Sequence, residues 1–529
     1  MIKFVFSCLF FFSLIFSQPS IEWQKSLGGS DNDWGYFIVQ TNDSGYLVVG
    51  SSYSNDGDVH DHHGDTTWAD FWVVKLDSSG DTIWTKSLGG LYHDWGTCGE
   101  QTNDGGYIVA GHSHTYRHGS TFYPDYWLVK LDSSGDTVWT RNFGGWKGDY
   151  CFSIHQTFDH GYILAGFSYS DSGDVRDHHG DTSYCDIWVL KLDSLGDTVW
   201  TKSLGGTLNE KAYSIQQTAD SGYIVAGLAY SNNGDVSGHH GDSLHCDVWV
   251  IKLDAEGDIE WQKSLGGSGT DAAYSVKQTF DGGYIVAGYS YSNDGDVGKN
   301  YGSADFWIVK LDSSGDTVWT GNFGGSRKDK ARSVWQTLDS GYIVAGYSFS
   351  NDSDVTGHHS GPPGSLNFPD IWVIKLSSSG TLEWQKSLGG SRSEDAWCVQ
   401  QTFDSGYVIA GFSYSNNGDV SGHHGDSLHM DYWVVKLDAY ALKIEESPPQ
   451  PANAFIKVYP NPFNSACKIF IPEQADIQIC DFNGRVILKK KKYKGLFVWS
   501  PGKKIPTGVY FLIVNNKRGH IKKKLFYLK

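Results

Sequence analysis

The chain has 529 residues and a formal net charge of −18; 39% of it is hydrophobic and 15% aromatic, with 64 Gly, 21 Trp and only 2 Met. Helical bundles draw on Leu, Ala, Met, Glu and Lys, so this profile excludes them and favours short strands joined by glycine turns, while the aromatic content and 19% charged residues exclude intrinsic disorder. Residues 451–529 hold 14 Lys and 2 Arg against one Glu and two Asp, a balance of +13, which leaves −31 on the first 450 residues. That split argues for at least two domains. An acidic body lacks the Lys and Arg that phosphate contacts need, so nucleic acid is not an expected partner.

The chain opens with Met1-Ile2-Lys3, an apolar run from Phe4 to Phe16, and Ser17-Gln18. A positive start, a short apolar stretch and a small residue read as a signal peptide over residues 1–17. The run is too short to span a bilayer, and no transmembrane segment is expected elsewhere.

From about residue 21 to 438 one unit recurs. The Trp of W-[TQ]-x-[SN]-[LF]-G-G returns at Trp23, Trp84, Trp139, Trp200, Trp261, Trp319 and Trp384. A second Trp, in D-x-W-[VIL]-[VIL]-K-L, returns at Trp72, Trp127, Trp188, Trp249, Trp307, Trp372 and Trp433. A Q-T pair and a G-Y-[ILV]-[ILV]-[AV]-G segment keep the same step, from Gln40-Thr41 to Gln401-Thr402 and from Gly45 to Gly411. Each segment has strand length and β-forming composition. Asp, Ser and Gly between Q-T and G-Y, and Ser78-Ser79-Gly80 and its equivalents after K-L-D, are hairpin turns. Four antiparallel strands per unit of 55–65 residues read as propeller blades, with the Q-T strand innermost. The fold class expected is all-β: a seven-bladed β-propeller over residues 18–440, then a linker over 441–454 and a small β-sandwich over 455–529. The unit resembles the kelch propeller, with its glycine-bounded second strand and a Trp in the fourth, over residues 21–438. It lacks kelch's double glycine after the second strand, so only the architecture follows from that resemblance.

The repeat starts on an outermost strand and ends on a third strand. Residues 21–29 are therefore expected to complete the seventh blade and close the ring, which removes open sheet edges. The fourteen registered Trp read as packing between blades.

The loops between second and third strands carry the chemistry-bearing residues. His62-His63, His178-His179, His239-His240 and His423-His424 lead into Asp65, Asp181, Asp242 and Asp426, with Asp58, Asp174, Asp235 and Asp419 upstream; His358-His359 is a fifth pair. His with carboxylate suits a transition metal, and the Asp-Gly-Asp part suits calcium. The structural reading is that Asn, Asp and Gly shape turns that His caps. Trp34, Trp95 and Trp146, in the fourth-to-first loops, are candidates to stack on a sugar ring or hold a peptide. One innermost-strand position varies as Val39, Glu100, His155, Gln216, Lys277, Trp335 and Gln400, and reads as inter-blade burial or solvation ahead of channel lining. No nucleophile elbow, P-loop or dinucleotide fingerprint is present, and no catalytic residue is assigned.

Seven Cys follow the leader without a C-x-x-C pair, and Cys467 with Cys480 is open to a disulfide or to two half-buried thiols. The proline-rich stretch 447–451 reads as a stiff linker. After it come Tyr459-Pro460-Asn461-Pro462, Asn483-Gly484-Arg485 and Pro506-Thr507-Gly508-Val509-Tyr510, then a basic end. These motifs resemble the C-terminal sorting domain of the type IX secretion system. The resemblance implies recognition of Tyr459, Pro460, Asn461, Pro462, Gly484, Gly508 and Tyr510 by the secretion machinery, and export across a Gram-negative outer membrane. It also implies removal of the tail, with release or surface attachment.

The function expected is a secreted or surface-bound binding propeller for a glycan, a protein or a cation. The alternatives are a secreted polysaccharide hydrolase or lyase, and a structural or adhesive surface component.

Overall fold

The computed structural model describes residues 18–114, 123–359, 368–426, 428–439, 457–459, 465–480, 485–502, 505, 508–516 and 519–527. The chain divides into two compact units, Met1–Leu442 and Lys443–Lys529. The leader and the proline-rich linker lie outside the described residues.

Among its described residues the first unit holds seven four-stranded antiparallel sheets. Sheet 1 is Asp33–Gln40, Tyr46–Ser52, Asp70–Leu76 and Thr82–Leu88, paired in that order. Sheets 2 to 6 repeat it, with innermost strands Asp94–Gln101, Asp149–Gln156, Glu210–Gln217, Asp271–Gln278 and Asp329–Gln336. Sheet 7 joins Glu394–Gln401, Tyr407–Ser413 and Asp431–Leu437 to Ile21–Leu27. This first strand runs antiparallel to the last, with Ser26 opposite Trp433. Each sheet packs on the next, and sheet 1 packs on sheet 7, a propeller-like ring.

The apolar cores lie between sheets. One cluster draws Ile38, Val48 and Trp72 from sheet 1 and Leu27, Tyr432 and Val434 from sheet 7, across the closing seam. The third-strand Trp residues are at most 4% exposed. The Trp188 indole donates to Thr201 Oγ1 at 2.6 Å and the Trp249 indole to Gln262 Oε1 at 2.8 Å, so burial leaves those N–H groups satisfied. The fourth-strand Trp instead crosses to its neighbour. Trp23 meets Tyr46 edge-on at 5.5 Å, Trp200 meets Tyr223 at 5.7 Å, and the same contact recurs at every seam. The Tyr of G-Y is therefore the seat for the preceding sheet's outer Trp.

The Q-T pair has two separate jobs. Thr41 Oγ1 donates to Asp43 Oδ1 at 2.5 Å inside its own turn. The Gln reaches backward to the preceding sheet: Gln101 Oε1 accepts the Asn42 N–H at 2.7 Å, and Gln217 Oε1 accepts the Phe158 N–H at 2.8 Å. All seven seams carry this bond, including Gln40 to Phe403 at 2.7 Å.

The second unit is one five-stranded antiparallel network: Lys457–Tyr459, Cys467–Cys480, Val486–Trp499, Gly508–Asn516 and Gly519–Tyr527. Two of these strands run 14 residues each, and their pairing shifts register near Ile471 and Ala475. Cys467 and Cys480 consequently sit at opposite ends of one strand and are free, buried thiols. The final strand was not anticipated; Lys522, Lys523 and Lys524 in its centre hide the alternation.

Candidate functional site

At the start of each innermost strand the chain breaks register: in sheet 4 the shift falls between Ala212 and Ser214. The break turns one side chain of each sheet toward the axis, namely Tyr36, Thr97, Phe152, Tyr213, Tyr274, Arg332 and Trp397. With the varying position one turn of the pleat below, these surround a central chamber of about 770 Å³.

The upper wall is a closed belt of rings. Its steps are Tyr36–Trp95 at 6.2 Å, Trp95–His112 at 6.3 Å, His112–Phe152 at 6.2 Å and Phe152–Tyr213 at 5.3 Å. It returns through Tyr213–Tyr274 at 4.7 Å, Tyr274–Trp397 at 6.5 Å and Trp397–Tyr36 at 5.1 Å. Sheet 2 has Thr97 at the axial position, and its Trp95 and His112 supply the rings instead. Arg332 fills the wide step, 4.4 Å from the Tyr274 centroid and 4.1 Å from that of Trp397. Its guanidinium lies 3.6 Å from Asp395, and its Nε has no hydrogen-bond partner. Burial raises the Asp395 carboxyl to about 7 despite the opposing pull of Arg332. Burial also presses His112 down to about 3, with His114 and His93 adding to it.

The lower wall is the ring Val39, Glu100, His155, Gln216, Lys277, Trp335 and Gln400, all seven facing the chamber. The burial expected for this position is also partly there. Gln216 Oε1 accepts the Gln278 N–H at 2.8 Å and Gln400 Oε1 accepts the Gln40 N–H at 2.8 Å, each across a seam. Glu100 accepts the Gln156 N–H with one oxygen and meets His155 Nδ1 at 3.0 Å with the other. Lys277 Nζ stands 5.7 Å from the Trp335 centroid, and burial lowers its pKa from the ordinary lysine range.

Of the three candidate Trp residues, Trp34 and Trp95 come together at 5.4 Å, and Trp95 reaches the chamber. Both sit on strands, where loops were expected. Trp146 is 65% exposed on its loop and is not part of the chamber wall.

The His-Asp loops lie at the seams. The second His of each pair hydrogen-bonds the third-strand Asp of its own sheet through Nδ1: His63 with Asp70 at 2.8 Å, His179 with Asp186, His240 with Asp247 and His424 with Asp431 at 2.9 Å. Its Nε2 reaches the next sheet, 3.6 Å from Asp235 for His179 and 3.7 Å from Asp58 for His424. The first His is turned inward; His178, His239 and His423 each hold Nδ1 3.6 Å from the same third-strand Asp. His62 is its counterpart in sheet 1, with both ring nitrogens buried. Asp58, Asp174, Asp235 and Asp419 accept the backbone N–H of the first glycine in [LF]-G-G, at 3.3, 3.1, 3.1 and 3.3 Å. Asp65, Asp181, Asp242 and Asp426 accept the N–H two residues on, at 3.0, 2.7, 3.0 and 2.8 Å, and shape exposed turns. Among the described residues, no three His, Cys, Asp or Glu side chains converge as a metal site.

Each seam also buries two carboxyls face to face. A Cβ on Gly205 would stand 2.6 Å from Asp186 Oδ1 and 2.8 Å from Glu210 Oε2; Gly266 relates Asp247 to Asp271 in the same way. The first glycine of L-G-G is required by that approach.

In the tail, Tyr510 is buried, with its ring 5.3 Å from that of Trp499, and Gly508 opens its strand. Tyr459 ends the first strand; Pro460, Asn461, Pro462 and Gly484 lie outside the described residues.

Residues 457–527 match the family described as the secretion system C-terminal sorting domain. A 159-residue stretch is 29% identical to the regulatory protein FlaEY of Caulobacter vibrioides, covering 28% of this chain and 17% of that protein. Among solved structures, Sqt1 from Chaetomium thermophilum is similar at 11% identity and a TM-score of 0.40, over 79% of this chain and all of that one. A puromycin hydrolase is similar at 10% identity and a TM-score of 0.39, over 84% of this chain and 62% of that one. Scores of that size carry no argument about this chain. The tail marks the protein for export by type IX secretion, to a secreted or cell-surface location. No helix among the described residues is long and apolar enough to cross a membrane.

Proposed function

We propose that this is an exported binding protein whose ligand enters the central chamber of a seven-bladed, kelch-like propeller spanning residues 18–440. A signal peptide over 1–17 and a sorting domain over 455–529 serve its passage to the outer surface of a Gram-negative cell. One observation carries the reading. The shell positions repeat almost without change around the ring, whereas the axial position reads Tyr36, Thr97, Phe152, Tyr213, Tyr274, Arg332 and Trp397. Symmetry is kept where it holds sheets together and given up where a ligand would touch. A concave, mostly apolar site with a few placed polar groups is the ordinary form of a small-molecule pocket. The test is titration of the purified full chain against a glycan array and a small-molecule panel. Trp397→Ala should abolish any hit that uses the chamber, and hits that survive it count against this reading.

A second reading, a polysaccharide hydrolase or lyase, draws on the Glu100–His155 pair. A carboxylate that orients a His through Nδ1 leaves Nε2 for proton transfer. Product release from an oligosaccharide panel, lost in His155→Ala, would favour it over binding alone.

A further inference from the structure

The floor of the chamber has an uneven supply of hydrogen-bonding groups. Gln216 and Gln400 each spend Oε1 on a backbone N–H of the next sheet. An N–H can only be met by the amide oxygen, so the NH2 group of each is left to face the chamber. No partner for either NH2 group is found among the described residues. Glu100 engages one oxygen with the Gln156 N–H and the other with His155. Lys277 has no carboxylate within ion-pairing distance among the described residues; Glu100 acts on it only from further off, and its Nζ stands 5.7 Å from the Trp335 centroid. The floor therefore offers donors and one cation, and no free carboxylate.

A half-buried ammonium without a direct ion-pair partner is costly unless something supplies one. The belt above offers flat aromatic faces, on which a sugar ring or an aryl ring stacks. A volume near 770 Å³ suits a ligand of two or three rings.

We infer that the chamber takes a ring-bearing carboxylate, head down, with its carboxylate on Lys277 and the Gln216 and Gln400 amides and its ring held in the Tyr213–Tyr274–Trp397 part of the belt. The inference rests on the binding reading above and adds the ligand class to it. Acidic oligosaccharides and aryl carboxylates share this chemistry, and the choice of probes separates them. Arg332 does not supply the same function, since Asp395 already answers its charge.

The experiment uses the full secreted chain and isothermal titration with two matched pairs: trigalacturonate with its methyl ester, and 2-naphthoate with 2-naphthamide. The expected result is one acid bound at least ten-fold more tightly than its neutral partner. Lys277→Gln should erase that gap, and Lys277→Arg should keep most of it. Trp397→Ala should weaken acid and neutral probe alike, with Tyr213→Ala as the substitute if that variant does not fold. A neutral probe bound as tightly as its acid overturns the inference, and so does a gap that survives Lys277→Gln. Absence of binding by all four probes overturns the ligand class. Acid binding that persists undiminished in the Trp397→Ala and Tyr213→Ala chains instead removes the chamber as the site, and with it the reading beneath.

Discussion

The indole of Trp433 donates to Gln24 Oε1 at 2.7 Å, joining positions 409 residues apart. The other end of Gln24 bonds Ser421 Oγ at 2.5 Å, and Glu22 pairs with Lys436 at 3.1 Å. Deleting residues 18–30 removes these bonds together with a whole strand of sheet 7, and bares the edge of the Trp433 strand. The melting temperature should fall by more than 10 °C, whereas Gln24→Ala should cost only about 1–2 kcal/mol. A truncated chain that melts with the parent would contradict ring closure by this segment.

The seam bond from Gln217 to the Phe158 N–H makes a smaller and more local prediction. Gln217→Ala should destabilise by about 1 kcal/mol. Hydrogen exchange at the Phe158 amide should accelerate, while the Asn103 amide, held by Gln156, stays protected. Equal acceleration at both would mean that the seams open together.

Gly227 and Gly298 form a contrast. A Cβ on Gly227 would sit 1.8 Å from the Lys211 carbonyl oxygen, because the register break in the innermost strand pushes that carbonyl across. Gly298 has nothing within 4 Å. Gly227→Ala should cost about 3 kcal/mol or more, and Gly298→Ala should stay within about 0.5 kcal/mol. Denaturant midpoints of the two variants decide it.

The paired seam carboxyls set the pH dependence. Burial lifts Asp149, Glu210, Asp305 and Glu394 each to about 7. The folded chain then holds protons that the unfolded chain releases near pH 4, so stability falls as pH rises from about 4 to 7. His359, raised mainly by its bond to Asp370, acts in the same direction. His112, lowered by burial, opposes it on the acid side, where the unfolded chain takes up a proton below its ordinary value. The melting temperature should peak in mild acid and decline toward pH 8. Asp186→Asn sets an NH2 group where Asp186 Oδ1 faces Glu210 without a hydrogen-bond partner, and should flatten the alkaline decline. A steeper decline would show that this pair does not hold a proton.

The shell was legible in the sequence because its bonds repeat. Trp, Tyr, Gln and Gly return at fixed steps since each meets the same neighbour at every seam, and the strand order follows from turn lengths. The axial belt of the chamber was not legible for the opposite reason. Tyr36, Arg332 and Trp397 share a position but no residue type, and the register break that turns them inward leaves no mark in the alternation. The usable signal was variation three residues after the Asp or Glu that opens each innermost strand. In the tail, strand ends blurred because the lysines of Val486–Trp499 occupy exposed positions in a long strand that composition alone reads as loop.

Because the outer strand of the last sheet comes from the front of the chain, a nascent propeller keeps one edge uncovered until its final sheet has been synthesised. Sheets 1 to 6 are complete from local sequence and can form in order as the ribosome releases them. The Ile21–Leu27 strand alone must wait for a partner that lies some four hundred residues downstream. That interval is when the Ile21–Leu27 strand is open to pairing with a second chain, so chaperone protection before export matters most for this one segment.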